Sequence, residues 1–166
     1  TLACLRSIYD QTHLPFEVIV VDNCSQDGSV EAITTAFPNV RILANDDNRG
    51  FAAANNQAME IAHGRYLLLL NPDTEIVDRA IDRLFAFAET KPRAGAIGGR
   101  ALRPDGTLQA NCFEPSGMLN LWISAFRLHR LFPRSRIFGR ERLTYWDYGC
   151  ARQVPVVAGC FMLLRR

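Results

Sequence analysis

Two apolar stretches of this chain end in side chains whose oxygen atoms could hold a metal ion or a nucleotide. Leu67–Leu70 runs directly into Asn71–Asp73, and Val18–Val21 runs into Asp22–Ser25. Because open α/β sheets bind ligands at the carboxyl ends of their strands, we expect both polar ends to face one crevice. This pattern indicates a site for a phosphorylated, metal-bound ligand.

A third polar segment lies between these two, in front of an Ala-rich stretch. Asn48, Arg49 and Gly50 lead into Phe51–Ala62, which has the composition of a helix. Gly50 allows a ligand to approach the backbone closely, and the amino end of a helix favours phosphate groups. Arg49 would add a positive charge there, although an arginine on a solvated surface is an equally good interpretation.

The elements that must position these residues alternate along the chain. Hydrophobic spacing and helix-ending signals predict helices at Leu2–Gln11, Ser29–Ala36, Phe51–Ala62 and Arg79–Thr90, and strands at Glu17–Val21, Val40–Leu43, Tyr66–Leu70 and Ala94–Gly98. Ser25 and Asp27 are expected to cap the second helix, and Gly64 to end the third. Since the strands are nearly continuous apolar runs, we expect an α/β fold with a mainly parallel sheet covered by helices on both faces.

The regular order ends near residue 100, which divides the domain into residues 1–100 and 101–166. Arg103–Thr107 contains the Pro, Asp and Gly of a hairpin turn. Residues 118–143 mix apolar and basic side chains without a strand pattern, and Val154–Leu164 is a final apolar run that forms a strand or a short helix. We therefore expect a second part that is less regular than the first.

Composition argues against several kinds of protein and site. The chain has 166 residues, 48% of them hydrophobic, and its net charge of +2 gives no basic field for nucleic acid. No apolar run reaches the roughly 18 residues of a membrane span, and no signal peptide is expected. The five cysteines have no C-x-x-C spacing, which disfavours zinc and disulfides and favours a cytoplasmic protein. Cys24 is interpreted as a packing residue.

Three segments carry a resemblance to a known family: Glu17–Ser29, Asn45–Ile76 and Val156–Arg166. Together they resemble glycosyltransferase family two, and within it the rhamnosyltransferase-like branch. The resemblance implies a GT-A, Rossmann-like fold. It also implies inverting transfer of a sugar from a nucleotide diphosphate donor to a glycan or lipid-linked acceptor, in polysaccharide or cell-wall biosynthesis.

The resemblance assigns roles to the two strand ends. Asn71 and Asp73 stand where the family carries an Asp-x-Asp motif, which places Asn71 near the ribose and Asp73 on Mg²⁺ or Mn²⁺; a plain type I turn is the alternative. Asp22 takes the position of an acid that accepts a hydrogen bond from the pyrimidine base, to which a carboxylate is suited. Asn23 and Ser25 are expected to contact the donor beside it. For all three, capping of the following segment is the alternative.

The segment in front of the Ala-rich helix also matches. The family has a similar Asn-x-Gly followed by Ala and Asn, so we predict that Arg49, Gly50 and Asn55 bind the nucleotide sugar. Asn55 is preferred to Asn56 by its position in the motif.

Two parts of the family's machinery are expected outside this chain. The sequence opens within a predicted helix that no strand precedes, and the resemblance places the family's first strand ahead of Thr1. The resemblance also places the catalytic base after Arg166. The base is therefore unassigned. A non-catalytic nucleotide-sugar binding or assembly module is the alternative. A sugar-phosphate nucleotidyltransferase is a third possibility, but the Gly-rich phosphate loop that such a protein has near a first strand is not visible in this sequence.

Residues 118–142 carry a further expectation. Apolar side chains there interleave with arginines: Trp122, Phe126, Leu131, Phe132 and Phe138 with Arg127, Arg130, Arg134, Arg136, Arg140 and Arg142. Such a mixture suits peripheral contact with anionic lipid headgroups at the inner face of a membrane, while a core or the interface of a homo-oligomer is the alternative. His13, His63 and His129 are assigned no chemistry.

Overall fold

The structure, a computed structural model, describes residues 1–115, 117–132 and 135–166, without the side chains of Ser124, His129 and Arg130. Arg134 and the side chain of Arg130, both predicted to contact lipid, thus lie outside the described residues, as does the ring of His129. The chain falls into two compact units. The first comprises Thr1–Gly95 and Leu163–Arg166, and the second comprises Ala96–Met162.

The first unit alternates helices and strands as the apolar spacing predicts. Its helices are α1 (Leu2–Gln11), α2 (Ser29–Ala36), α3 (Phe51–Ile61) and α4 (Ala80–Glu89), and its strands are β1 (Ile19–Asn23), β2 (Arg41–Asn45) and β3 (Tyr66–Leu70). β1 and β2 are parallel, with Val20 opposite Ile42. The order of elements over residues 1–90 is therefore confirmed.

Some predicted boundaries were wrong by one or two residues. β1 ends at Asn23 and not at Val21, because Asp22 and Asn23 lie opposite Ala44 and Asn45 of β2. Backbone pairing with a neighbour extends a strand beyond the apolar run that marks it in the sequence.

The caps of α2 and α3 also differ from those predicted. Gly28, in the left-handed conformation with φ 74°, is the N-cap of α2, whereas Asp27 accepts the backbone N–H of Ser29 at 3.0 Å. α3 ends at Ile61, and its C-cap Ala62 is extended, so Gly64 does not end it. An extended residue after the last turn is enough to stop a helix, without a glycine.

The core of the first unit lies on one side of its helices. α1 buries Cys4, Leu5 and Ile8, and α4 buries Leu84 and Ala88, which are four residues apart as on one face of a helix. Burial of such a stripe supplies most of a helix's stability in a protein.

A cavity of about 860 Å³ lies within the first unit. It is lined by all of β3, by Ile19–Val21 and Asn23 of β1, and by residues of α1, α3 and α4. β1 and β3 belong to different sheets, and their apolar residues are only half-buried. The class is α/β as predicted, but the described strands form several small sheets in place of one mainly parallel sheet, since open space lies where β1 and β3 would join.

The second unit is built from short elements. They are β4 (Ala96–Gly98), β5 (Ala101–Leu102), β6 (Leu108–Gln109), β7 (Cys112–Phe113), α5 (Met118–Ala125), α6 (Leu128–Leu131) and β8 (Val156–Val157). β5 and β6 form an antiparallel hairpin. Arg103 donates its N–H to the Thr107 carbonyl at 2.8 Å, and Gly106 adopts φ 78° in the turn between them. The predicted hairpin turn is confirmed.

The last apolar run contains two strands. β8 pairs with β7 in antiparallel fashion, and β9 (Phe161–Arg165) follows after a turn. β9 begins in the second unit and ends in the first, where the N–H of Arg166 donates to the carbonyl of Arg65 at 3.2 Å.

A buried polar cluster holds the second unit together at β7. Asn111 is 1% exposed and donates its Nδ2–H to the Gly99 carbonyl at 2.6 Å. The Tyr148 hydroxyl accepts the backbone N–H groups of Asn111 and Cys112 at 3.3 and 3.2 Å.

Within the part of the chain that the structure describes, no helix has the length and apolar character needed to cross a membrane.

Candidate functional site

The carboxyl end of β1 forms a tight turn that Asp22 closes. Its Oδ2 accepts the backbone N–H of Ser25 at 3.0 Å, so the capping that the residue types suggest is present. Oδ1 makes no hydrogen bond within residues 1–115, 117–132 and 135–166, and it stays open to a ligand. Cys24, at the tip of the turn, is exposed with φ 68°. Its interpretation as a packing residue was wrong, because the turn places it in solvent.

An amide network, formed by Asn23, Asn45 and Gln57, joins the ends of β1 and β2 to α3. Asn45 Nδ2 donates to Asn23 Oδ1 at 3.0 Å and to Gln57 Oε1 at 2.9 Å. Gln57 Nε2 donates to Asn45 Oδ1 at 3.0 Å, and Asn23 Nδ2 donates to the carbonyl of Gly50 at 3.4 Å.

Sequence reasoning missed two members of this network. The predicted strand Val40–Leu43 leaves out Asn45, although, like Asn23, it follows apolar strand residues and the two are opposite each other. That similarity could have indicated that Asn45 belongs to the network. The sequence around Gln57 contains no such indication, since a glutamine within a helix is ordinary.

The turn in front of α3 combines a backbone conformation that favours glycine with open space. Gly50 has φ 79° and ψ 165°, its N–H donates to Asn48 Oδ1 at 3.0 Å, and a Cβ placed there would meet no atom within 4 Å. Arg49 donates its Nε–H to Asp47 at 3.0 Å, and both side chains are exposed. An exposed pair of this kind contributes about 0–1 kcal/mol, so the guanidinium can exchange Asp47 for a phosphate.

Asn55 lies one turn into α3. Its Nδ2–H donates to the Phe51 carbonyl at 2.8 Å within the same helix. The side chain also lines the cavity of the first unit, where its Oδ1 can act as an acceptor.

The segment after β3 forms the turn that Asn-Pro-Asp-Thr predicts. The Asn71 carbonyl accepts the N–H of Thr74 at 3.3 Å and its hydroxyl at 2.7 Å. Asp73, inside the turn, is exposed, and no residue of the described ranges donates a hydrogen bond to its carboxylate. The turn interpretation and the ligand interpretation are therefore compatible, because the turn presents a free carboxylate at the carboxyl end of β3.

A buried thiol lies under this turn. Cys4 Sγ is 3.7 Å from the Asn71 carbonyl oxygen, to which it donates. Burial raises the pKa of Cys4, and the charges of Asp73 and Glu75 act in the same direction. A thiol with a raised pKa stays protonated at physiological pH, and it is then a poor nucleophile.

The structure brings some of the predicted site residues together. Asn23, Asn55 and Asn71 line the same cavity. Two further pairs are joined by hydrogen bonds, Asn23 with Gly50 and Asp22 with Ser25. Arg49 and Asp73 do not line the cavity and are exposed on their turns.

The fit of a divalent cation depends on Asp73. Among the described residues, no three His, Cys, Asp or Glu side chains converge on one point. Mg²⁺ that is bound with a nucleotide takes one or two carboxylates from the protein and its other ligands from phosphate and water. One exposed carboxylate with free oxygens, as Asp73 has, fits such an ion.

Three acids of the second unit have local partners. Asp105 accepts the N–H of Thr107 at 2.9 Å, Glu114 pairs with Arg140 at 3.0 Å, and Asp147 accepts the N–H of Gly149 at 2.9 Å. The hydrogen bonds from Thr107 lower the pKa of Asp105, which makes it a weaker base.

Known proteins match this chain over different lengths. It is 29% identical over 160 residues to N-acetylglucosaminyl-diphospho-decaprenol L-rhamnosyltransferase of Mycobacterium tuberculosis, which covers 81% of this chain and 52% of that protein. It is 37% identical over 113 residues to the O-antigen biosynthesis protein RfbC of Myxococcus xanthus, covering 63% of this chain and 9% of that protein. With the succinoglycan biosynthesis protein ExoO of Rhizobium meliloti the identity is 36% over 112 residues, or 60% of this chain and 31% of the relative.

The chain thus spans about half, or less, of the length of these relatives. The sequence profile of glycosyl transferase family 2 matches residues 1–166. Since that match covers the whole sequence, the chain belongs to glycosyl transferase family 2.

Proposed function

We propose that this chain forms the donor-binding part of a GT-A glycosyltransferase. The enzyme would move a sugar from a nucleotide diphosphate to a glycan or lipid-linked acceptor, with inversion and with Mg²⁺ or Mn²⁺. The observation that carries the proposal is the free carboxylate of Asp73, which the turn after β3 presents at the carboxyl end of that strand. Membership of the family supports the reaction class.

The charge of the leaving group explains why Asp73 is needed. A nucleoside diphosphate gains negative charge as the bond to the sugar breaks, and a divalent cation neutralises that charge as a Lewis acid. Asp73 would hold the cation through its carboxylate oxygens and Asn71, beside it, would accept a hydrogen bond from the ribose.

The carboxyl end of β1 would recognise the nucleobase of the donor. Asp22 Oδ1 is open to an N–H donor, while Oδ2 is fixed by the N–H of Ser25. The turn thus orients the carboxylate before a ligand arrives, which lowers the entropy lost on binding.

The turn in front of α3 would contact the diphosphate. Gly50 leaves open space beside the backbone, and the adjoining amino end of α3 carries a partial positive charge. Arg49 would leave its exposed partner Asp47 for a phosphate oxygen. Asn23 and Asn55 would contact the donor through their side-chain amides.

A lipid-linked acceptor is supported by the second unit. Residues 115–140 contain five arginines and no Asp or Glu. Trp122 and Phe126 stack at 5.9 Å while they are 59% and 64% exposed. An exposed aromatic pair within a basic segment suits an anionic lipid surface, and the mycobacterial relative is named for a decaprenol-linked sugar.

Vesicle binding tests the lipid contact. Trp122→Ala should reduce cosedimentation with vesicles that contain anionic lipid, whereas Phe16→Ala, which changes an exposed aromatic residue of the first unit, should not. Equal binding of both variants would contradict the contact, and self-association that Trp122→Ala abolishes would favour a homo-oligomer. A lipid contact would place the protein at the inner, cytoplasmic face of the membrane.

Calorimetric titration with a nucleoside diphosphate tests the donor site itself. UDP and dTDP should bind the wild-type chain in the presence of Mn²⁺, and Asp73→Ala should abolish the Mn²⁺-dependent part of the affinity. Glu75→Ala is the matched control, since Glu75 is an exposed acid two residues further on. Equal affinities of wild type and Asp73→Ala, without an effect of a chelator, would refute the assignment.

A further inference from the structure

We infer that Asn45 and Gln57 are positioning residues of the donor site, which hold the turn at Gly50 in place through Asn23. The inference rests on the proposed function, since it takes this turn to be the part that contacts the diphosphate. Neither residue would touch the donor. Their effect would pass along the amide network to the backbone of Gly50.

The hydrogen bonds of the network connect Gln57 to the turn at Gly50. Gln57 and Asn45 exchange two bonds, at 2.9 and 3.0 Å, so their amide planes are fixed against each other. Asn45 then donates to Asn23 Oδ1. This bond fixes the Asn23 amide so that its Nδ2–H meets the Gly50 carbonyl.

The turn depends on this connection because its other bonds are local. Arg49 bonds to Asp47, and the N–H of Gly50 bonds to Asn48. The Gly50 carbonyl also accepts the N–H of Ala54, in the first turn of α3, at 3.1 Å. Within the described ranges, the bond from Asn23 is the one that joins the loop at residues 46–50 to a strand. All five loop residues are exposed, so packing does not hold them either.

The position of the network also favours a role in the site. Asn23 and Asn45 are opposite each other at the carboxyl ends of two parallel strands, which is the edge where such sheets bind ligands. A network needed for packing alone would be expected among buried residues, whereas all three amides are only half-buried.

Gln57→Met is the perturbation that tests the inference. Methionine keeps the length of the side chain but removes both bonds to Asn45. The affinity for UDP or dTDP with Mn²⁺ should fall about tenfold, the effect of one net hydrogen bond. The affinity for the matching nucleoside monophosphate should change by less than about twofold, since its base and ribose lie away from the turn.

Gln109→Met is the matched control, because Gln109 is exposed on β6 in the second unit. It should leave both affinities unchanged. An equal loss of diphosphate and monophosphate affinity in Gln57→Met would mean that the network only stabilises the fold, and no loss would mean that it does not position the turn. Either result would overturn the inference.

Hydrogen exchange in the ligand-free protein separates this inference from the proposed function. The amides of Gly50 and Ala54, which donate to Asn48 and to the Gly50 carbonyl, should exchange faster in Gln57→Met than in wild type, at a temperature where both proteins are folded. Unchanged exchange would refute the connection even if donor binding is observed. If the wild type binds no nucleoside diphosphate, the proposed function fails and the positioning role fails with it, while faster exchange would still establish the link between Gln57 and the turn.

Discussion

An apolar strand added ahead of Thr1 should fill the cavity of the first unit and stabilise the fold. Each strand residue advances about 3.3 Å, paired strands lie about 4.8 Å apart and packed layers about 10 Å apart, so five residues occupy about 800 Å³. The cavity measures about 860 Å³. β1 and β3 line it, and among the described strands each lies at the end of its own sheet, with one edge unpaired.

The amino end of α1 is in the right place for such a strand. Thr1 lines the cavity, and Cys4, in the first turn of α1, donates to the carbonyl of Asn71 just beyond β3. A strand that runs toward Thr1 therefore ends at the same edge as β3 and lies parallel to it. A linker of about two to six residues, as is usual between a strand and a helix, would join the two.

The expected gain is a few kcal/mol. Burying five Val or Ile side chains contributes about 10 kcal/mol, and fixing five residues costs about the same. The surplus comes from backbone hydrogen bonds to β1 and β3, at about 1 kcal/mol each, or about 4 kcal/mol for four. A domain of this size gains about 2–4 °C in Tm per kcal/mol, so Tm should rise by about 10 °C.

Thermal unfolding followed by circular dichroism measures this effect. The control is a Gly/Ser extension of equal length, which cannot fill the cavity with apolar groups and should leave Tm unchanged. Amides of β1 and β3 should also gain protection from hydrogen exchange with the apolar extension alone. Equal Tm values for the two extensions would refute the reasoning.

Other expectations follow from single contacts. Asp22→Asn should weaken binding of pyrimidine diphosphates equally with and without an attached sugar, as measured by calorimetry; a loss confined to the nucleotide sugar would contradict base recognition. Asp82→Asn should lower the free energy of unfolding by about 2 kcal/mol, because the carboxylate accepts the N–H of His13 and pairs with Arg79, and chemical denaturation checks this value. Burial opposes the charge of Asp82, but these hydrogen bonds keep its pKa below the usual 3.8, so its contribution is complete above that pH and disappears as pH falls through the lowered pKa. Wild type and variant should then converge in Tm in strong acid, and a constant difference down to the lowest pH would contradict the assignment.

The elements of the first unit could be predicted because their signals are local. α1, α4 and β3 follow from apolar spacing over ten residues or fewer, and the structure places α1 and β3 at the predicted residues. The end of β1 could not be predicted in the same way. Asp22 and Asn23 belong to the strand because of pairing with β2, which is distant in sequence.

The polar connections of the candidate site were the least predictable. Asn23 could be recognised as a polar residue after an apolar run, but its partners Asn45 and Gln57 depend on how β2 and α3 come together. The cavity also left no local signal, because Ile19–Val21 and Leu67–Leu70 have the composition of fully buried strands while they are half-exposed.

Paramagnetic broadening of amide signals by Mn²⁺ tests the central claim most directly. In the presence of UDP or dTDP, the account predicts that broadening centres on Asp73 and its neighbours after β3, and that Asp73→Ala removes it while Glu75→Ala does not. Broadening that needs no nucleotide, that centres elsewhere, or that persists in Asp73→Ala would contradict a metal-assisted donor site at the end of β3.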